Sequence, residues 1–319
     1  MTFPVAPEHA GQRLDRFVQS RIPRLSRTRA QEIVRSCAYR ADGTRRRASE
    51  RVRAGETVIL VRPAFEEPEV PLFFDLLYED DAVMALDKPS GLPVHPSATY
   101  HKNTLTFLLR DRFGDAAPRI AHRLDRETSG LLLCARTAEA ERQLKNAFEN
   151  RRVSKRYLAV VEGVMPDDQG RIALPMDQAK EGLHILMEVT PDGEGYPSVT
   201  RYRVVARANG RTLVALAPES GRQHQLRVHL SALGFPIVGD KLYGPQGVEP
   251  FLEYIETGMT DALQAKLGHS RQALHAYALT FEHPTTTQTT TLEAPLPDDL
   301  VKLWGEALDE TALASVAAC

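Results

Sequence analysis

Residues 121–135 read A-H-R-L-D-R-E-T-S-G-L-L-L-C-A, and they constrain the fold more than any other stretch of the chain. Leu131, Leu132, Leu133 and Cys134 form a continuous apolar run, which reads as a buried strand. Just before it, His122, Arg123, Asp125, Arg126 and Glu127 crowd against Gly130. A polar loop feeding a buried strand is a rigid mount for reactive side chains. Asp125 sits between Arg123 and Arg126, and nearby cations favour an ionised carboxylate. Taken alone, the window equally fits a surface loop of solvated ion pairs, which contribute little.

A chain of 319 residues has room for one large domain, or for one domain plus a small one. Cys37, Cys134 and Cys319 are far apart and odd in number, with no C-x-x-C pair, so neither a zinc site nor a disulfide framework is expected. G-x-G-x-x-G, P-loop and metal-ligand spacings are missing as well, and no cofactor or metal is expected. The N-terminus lacks the pattern of a signal peptide, and no apolar stretch approaches membrane-spanning length. A soluble cytoplasmic protein without a membrane partner follows. The net charge of −2 hides an asymmetry: residues 1–65 hold 14 Arg, no Lys and 6 acidic residues, leaving the remainder strongly acidic. A basic head on an acidic body points to a polyanion partner reached by the head. Arginine forks match phosphate geometry better than lysine does.

In the head, Leu14, Phe17 and Val18 share one helical face. Ser26 suits the N-cap of a second helix, with Ala30, Ile33 and Val34 inward and Arg27, Arg29 and Arg35 outward. Asp42-Gly43 is a turn signal, and residues 56–61 read as a closing strand. The order R-L-D-R-F, L-S-R-T-R-A-Q-E-I-V, the D-G turn and R-V-R-A-G-E-T-V resembles the S-four type RNA-binding module over roughly residues 12–62. Residues 37–41, C-A-Y-R-A, depart from that pattern, where the family usually has a glycine and alternating valines.

The acidic, proline-bearing stretch 66–75 is the expected linker, with a second domain over 76–308 and an Ala-rich tail, 309–319, expected to fray. In that domain Val83 to Leu86 reads as a strand stopped by Lys88-Pro89. Leu105, Phe107, Leu108 and Leu109 suggest a short buried helix ending near Gly114, and Thr137 can cap a helix through Asn150. Residues 154–163, 199–206 and 212–217 read as strands. In 218–234, Ser220 suits an N-cap, Leu226, Leu230 and Leu233 keep helical spacing, and Gly234 suits the position after the helix. Arg222 then falls in the first helical turn, where a cation opposes the helix dipole and wants a carboxylate partner.

Three separated stretches, H-R-L-D-R-E-T-S-G (122–130), K-R-Y-L-A-V-V-E-G (155–163) and G-R-Q-H-Q-L-R-V-H-L (221–230), together resemble the pseudouridine synthases of the RluA type. The resemblance extends in order from residue 78 to 284. It implies an α+β fold: a mixed, mainly antiparallel sheet flanked by helices, preceded by the small α+β RNA-binding module. The implied reaction breaks the glycosidic bond of a uridine in RNA, rotates the uracil and rejoins it through carbon 5, with no cofactor. The resemblance further implies that Asp125 is the carboxylate acting at the ribose and that Arg222 is its ion-pair partner. It places Tyr157 beside the base and Leu226 in the uracil pocket. Arg123 is expected to fill the gap left by an extruded nucleotide. With the basic module in front, the arrangement is similar to the family's members that act on large-subunit ribosomal RNA, which makes that RNA the expected substrate, with transfer RNA as one alternative and a catalytically idle RNA-binding assembly factor as another. A monomer is expected. His122, His224 and His229 are expected as hydrogen-bonded scaffold, and Cys134 as a buried apolar residue.

Overall fold

The computed structural model describes residues 1–22, 25–40, 42–61, 67–97, 99–191 and 193–305; Pro23 and the tail from 309 lie outside them. The chain divides into two compact units, Met1–Glu66 and Glu67–Cys319.

In the first unit, strand β1 (Thr2–Pro4) precedes helices α1 (Leu14–Arg21) and α2 (Arg27–Cys37), and strands β2 (Ala38–Tyr39) and β3 (Thr57–Leu60) follow. The strands make an antiparallel sheet in the order β1-β3-β2. Leu14, Phe17 and Val18 are buried on α1, and Ala30 and Val34 on α2, as the 3.6-residue spacing predicts. Ser26 caps α2 by accepting the Arg29 N–H at 3.2 Å. Arg27, Arg29 and Arg35 all point to solvent. Where the alternating pattern breaks, Ala38–Tyr39 form a strand of two residues, and Ala41 lies outside the described residues.

The second unit begins with strands β4 (Asp75–Glu79) and β5 (Val83–Lys88), helix α3 (Leu105–Phe113), and strands β6 (Arg119–Ile120) and β7 (Ser129–Ala135). Helix α4 (Ala138–Glu149) leads to β8 (Ser154–Glu162), β9 (Gln169–Ala173), β10 (Met176–Gln178) and β11 (Met187–Val189). After β12 (Val199–Ala208) and β13 (Arg211–Pro218) come helices α5 (Gln225–Ala232), α6 (Glu249–Thr257) and α7 (Asp261–Leu267), then β14 (Leu274–Glu282), β15 (Thr289–Glu293) and α8 (Asp298–Trp304). Ten strands form one sheet in the order β4-β5-β7-β14-β8-β13-β12-β9, with β15 on β14 and β6 on β7. Every pairing is antiparallel except that of β7 with β14. The expected mixed, mainly antiparallel sheet with flanking helices is therefore what the chain builds. No helix among the described residues is long and apolar enough to cross a membrane.

The apolar run that opened the sequence reading is β7, near the middle of this sheet. Alternate residues of a strand face opposite sides. Leu131 and Leu133 join Ala140 and Leu144 of α4, whereas Leu132 and Cys134 join Leu86, Leu105 and Leu109. Helices cover both faces, so neither can be polar. Each fully buried leucine contributes about 2 kcal/mol. Phe107 departs from expectation: α3 buries Leu105 and Leu109 and leaves Phe107 41% exposed, because its short apolar stripe does not extend to that position. The acidic stretch after Glu66 is also no free linker. Glu67 accepts the backbone N–H groups of His101, Lys102 and Asn103 at 2.9, 2.9 and 2.7 Å, which ties it to the second unit.

Gly130 sits where the two parallel strands meet, opposite Ala276, with φ +109°. A Cβ there would lie 2.3 Å from the Ala276 carbonyl oxygen, so only glycine lets the strands pair. Gly130→Ala is expected to lower stability by about 3 kcal/mol or more through clash and backbone strain, read from the midpoint of urea unfolding.

Candidate active site

A cleft of about 650 Å³ opens between the loop after β6, the start of β8 and the segment 218–227, and Asp125, Tyr157 and Leu226 all line it. A second depression of about 340 Å³ adjoins it, with Asp125, His224 and Arg227 in the wall that both share. The loop that carries Asp125 is fixed through its own backbone. Lys88 is fully buried at the end of β5, and its ammonium donates to the carbonyls of Pro89, Leu92 and Arg126 at 2.7, 3.0 and 3.0 Å. Burial pushes Lys88 down to about 7, but those carbonyls take up all three of its N–H donors. Gly91 N–H and Ser90 Oγ donate to the carbonyls of Arg126 and Glu127. Leu124, buried among Leu86, Leu105 and Leu132, plugs the same loop into the core. Asp125 is therefore held by the parts of its neighbours that a sequence motif does not display.

Asp125 stands about one-quarter exposed. Its Oδ2 accepts from Arg227 Nη1 at 3.3 Å. Arg227 gives its Nε and Nη2 protons to Asp240 at 2.6 and 2.8 Å, a bidentate fork on a fully buried carboxylate. Burial alone would neutralise Asp240, but Arg227 and the amides of Leu242 and Tyr243 hold it below the usual carboxylate range. Burial likewise opposes the charge on Arg227, and Asp240 together with Asp125 outweighs it.

This is the main departure from the sequence reading. Arg222 does not partner Asp125; its guanidinium lies over the Tyr196 ring, 4.7 Å from the centroid, at the exposed rim of the cleft. The reason lies in where the helix starts. His224 is the N-cap of α5, and Ser220 donates its hydroxyl to the Gln225 side chain at 2.7 Å rather than capping a helix. Arg222 consequently precedes α5, while Arg227 lies inside its first turn, flanked by buried Leu226 and Val228. A charge set among buried apolar residues must find a counter-ion, and the aspartate in P-I-V-G-D is within the next fifteen residues. Those two features of the sequence were the available signal.

Tyr157 lies on β8, half-buried against the core, and burial together with the charge of Asp125 pushes its hydroxyl well up. Leu226 is buried on α5 and Arg123 is exposed, with no ion pair among the described residues. Lys155, which the sequence reading did not single out, lines the cleft and donates to the Ser220 carbonyl at 2.7 Å; burial lowers it to about 8. His122 accepts the Leu133 N–H at 3.0 Å and stacks on Phe148, and burial pushes it down to about 3. His229 bonds Thr200 and the Leu174 carbonyl, again as scaffold. Glu127 and Arg126 also gain a place: Glu127 takes Lys241 at 2.9 Å and Arg126 at 3.0 Å, and Arg126 reaches the Tyr100 hydroxyl at 2.7 Å.

The arrangement offers a partly exposed carboxylate with one long hydrogen bond, beside a protonated phenol, on the wall of a cleft wide enough for a nucleoside. Residues 82–232 match the family model described as RNA pseudouridylate synthase. The chain is 38% identical to the ribosomal large subunit pseudouridine synthase D of Xanthomonas campestris, over 98% of this chain and 94% of that protein. It is 34% identical to the RNA pseudouridine synthase YlyB of Bacillus subtilis, over 93% and 94% of the two chains. Among solved structures it is similar to human RNA pseudouridylate synthase domain containing 1, with a TM-score of 0.60, 26% identity and coverage of 80% and 98%.

Removing Arg227 strands two carboxylates, one of them fully buried, whereas removing Arg222 strands none. Arg227→Met is expected to cost about 3–5 kcal/mol of stability, and Arg222→Met no more than about 0.5, in parallel urea titrations.

Proposed function

The chain belongs to the RNA pseudouridylate synthase family, and from that premise we propose that it isomerises uridines of large-subunit ribosomal RNA with Asp125 as the reacting carboxylate. The observation that carries the residue assignment is the position of Asp125 in the cleft: ionisable, partly exposed, and bound by a guanidinium already committed to Asp240. The carboxylate either adds to carbon 1′ or removes the 2′ proton, and either route frees the uracil to rotate. Tyr157, kept protonated by burial and by the nearby negative charge, gives the uracil a stacking face and a hydroxyl for proton transfer at carbon 5. Leu226 supplies apolar wall, and Arg123 reaches from the rim toward the RNA. Arg222 serves in this reading as a rim cation for the strand.

The ribosomal substrate draws its support from the relatives named for the ribosomal large subunit, which align over nearly the whole chain. The first unit fits an S-four type RNA-binding module, since it joins two helices to a small sheet and the second, capped helix turns Arg27, Arg29 and Arg35 to solvent. These side chains are placed to neutralise phosphates.

Tritium release from ribosomal RNA labelled at uracil carbon 5 tests the reaction. Wild type is expected to release tritium, Asp125→Ala to lose at least about a thousandfold in rate, and Tyr157→Phe about a hundredfold or more. Equal release by Asp125→Ala would refute the assignment. Pseudouridine mapping in cells with and without the gene should show loss in large-subunit ribosomal RNA; loss confined to transfer RNA would move the substrate there. Arg27→Ala combined with Arg29→Ala should weaken RNA binding and flatten its salt dependence by roughly one to two units of log–log slope.

A further inference from the structure

Asp125 is loosely held for a carboxylate that must stay ionised and aimed. Arg227 offers it one nitrogen at 3.3 Å and keeps its two shorter bonds for Asp240. The other carboxylate oxygen, Oδ1, accepts no hydrogen bond among the described residues. A second group faces the bound oxygen: His224 Nε2 lies 3.9 Å from Asp125 Oδ2. His224 has a left-handed backbone, φ +56°, which a residue with a Cβ rarely adopts. Such strain persists where the surroundings over-determine it, and it gathers at functional sites. The other ring nitrogen, Nδ1, lies 2.7 Å from the Tyr243 hydroxyl, and that oxygen already accepts the Met187 N–H at 3.0 Å.

Burial and the nearby Arg227 push His224 down to about 4, so the ring carries a single proton at neutral pH. On Nδ1, that proton would leave a lone pair on Nε2 facing the carboxylate. With Tyr243 donating to Nδ1, the proton sits on Nε2 and faces the negative charge, which is the electrostatically favoured arrangement.

We propose that His224 is a positioning residue: Tyr243 fixes its Nε2–H tautomer, and that N–H joins Arg227 in holding Asp125 Oδ2, which leaves Oδ1 as the oxygen that meets the ribose. The inference rests on Asp125 being the reacting carboxylate. No proton leaves His224. Its part is to orient, and closing the present gap by about 1 Å brings the pair within ordinary hydrogen-bond length. The charged and titratable groups that face Asp125 are Arg227 and His224 at the start of α5, Tyr157 on β8, Lys88 on β5 and Tyr243. His224 additionally faces Asp240 and Arg123. Among these, His224 is a neutral donor whose ring nitrogen lies 3.9 Å from the bonded oxygen of Asp125.

The test is tritium release by the full-length chain over a range of pH, with His224→Asn, His224→Gln, Tyr243→Phe and Asp125→Ala, each checked for thermal unfolding. Asparagine accepts the left-handed backbone but is too short to present a donor at the same distance, whereas glutamine reaches about as far as imidazole. The expected result is a fall of about tenfold in kcat for His224→Asn, with KM within about twofold, the size of one hydrogen bond to a charged group. A lost donor destabilises the ionised carboxylate, so the acid limb of the kcat profile should also move up by about one pH unit. His224→Gln should restore most of both, and Tyr243→Phe should shift the profile as His224→Asn does. If Asp125→Ala is inert while His224→Asn and His224→Gln lose activity equally and keep the wild-type acid limb, the positioning role is overturned and the carboxylate reading stands. If Asp125→Ala stays active, both fall.

Discussion

A guanidinium cut off from water must be neutralised by its neighbours, and the site is built around the way Arg227 meets that demand. Asp240 satisfies it with a bidentate fork, and two backbone amides from Leu242 and Tyr243 brace the same carboxylate. What remains of the charge reaches Asp125 through one longer bond. Two carboxylates then share one cation, leaving one negative charge over, and it sits on the more exposed partner. A dedicated arginine fork would tie up both oxygens of Asp125, as Arg227 does those of Asp240. Sharing leaves its Oδ1 without a hydrogen bond among the described residues.

The loop bearing Asp125 meets the complementary requirement of stiffness. Lys88 gathers three carbonyls, Ser90 and Gly91 hold two positions of the loop backbone, and Glu127 is clamped between Lys241 and Arg126. All these contacts are made by groups beside the carboxylate, so its own side chain is left to its one bond with Arg227. Rigid surroundings and a loosely bound central group are what a pre-organised site requires.

Much of this was legible in the sequence. The unbroken apolar run 131–134 announced a strand covered on both sides, and serine and threonine caps at Ser26 and Thr137 marked helix starts correctly. Asp125, Tyr157 and Leu226 were identifiable from resemblance, and the structure brings them to one cleft. Arg227 was missed because placing a helix start by its best capping residue failed here. Ser220 looked like the cap, but the chain enters α5 through a strained histidine instead. Lys88 was illegible for another reason: its partners are backbone carbonyls, one of them remote in sequence, which periodicity does not register.

The parallel pairing of β7 with β14 sets the order in which this site can come into being. Ser129 and Gly130 lie against His275 and Ala276, and β8, with Tyr157 on it, lies between β14 and β13. As the chain leaves the ribosome, Asp125 and Tyr157 emerge early but have no shared sheet to stand on. That sheet closes only when residues near 280 have been made, so the cleft is among the last features to form and long loops must close first. A partly synthesised chain can therefore carry a folded first unit while the walls of the cleft in the second have still to meet.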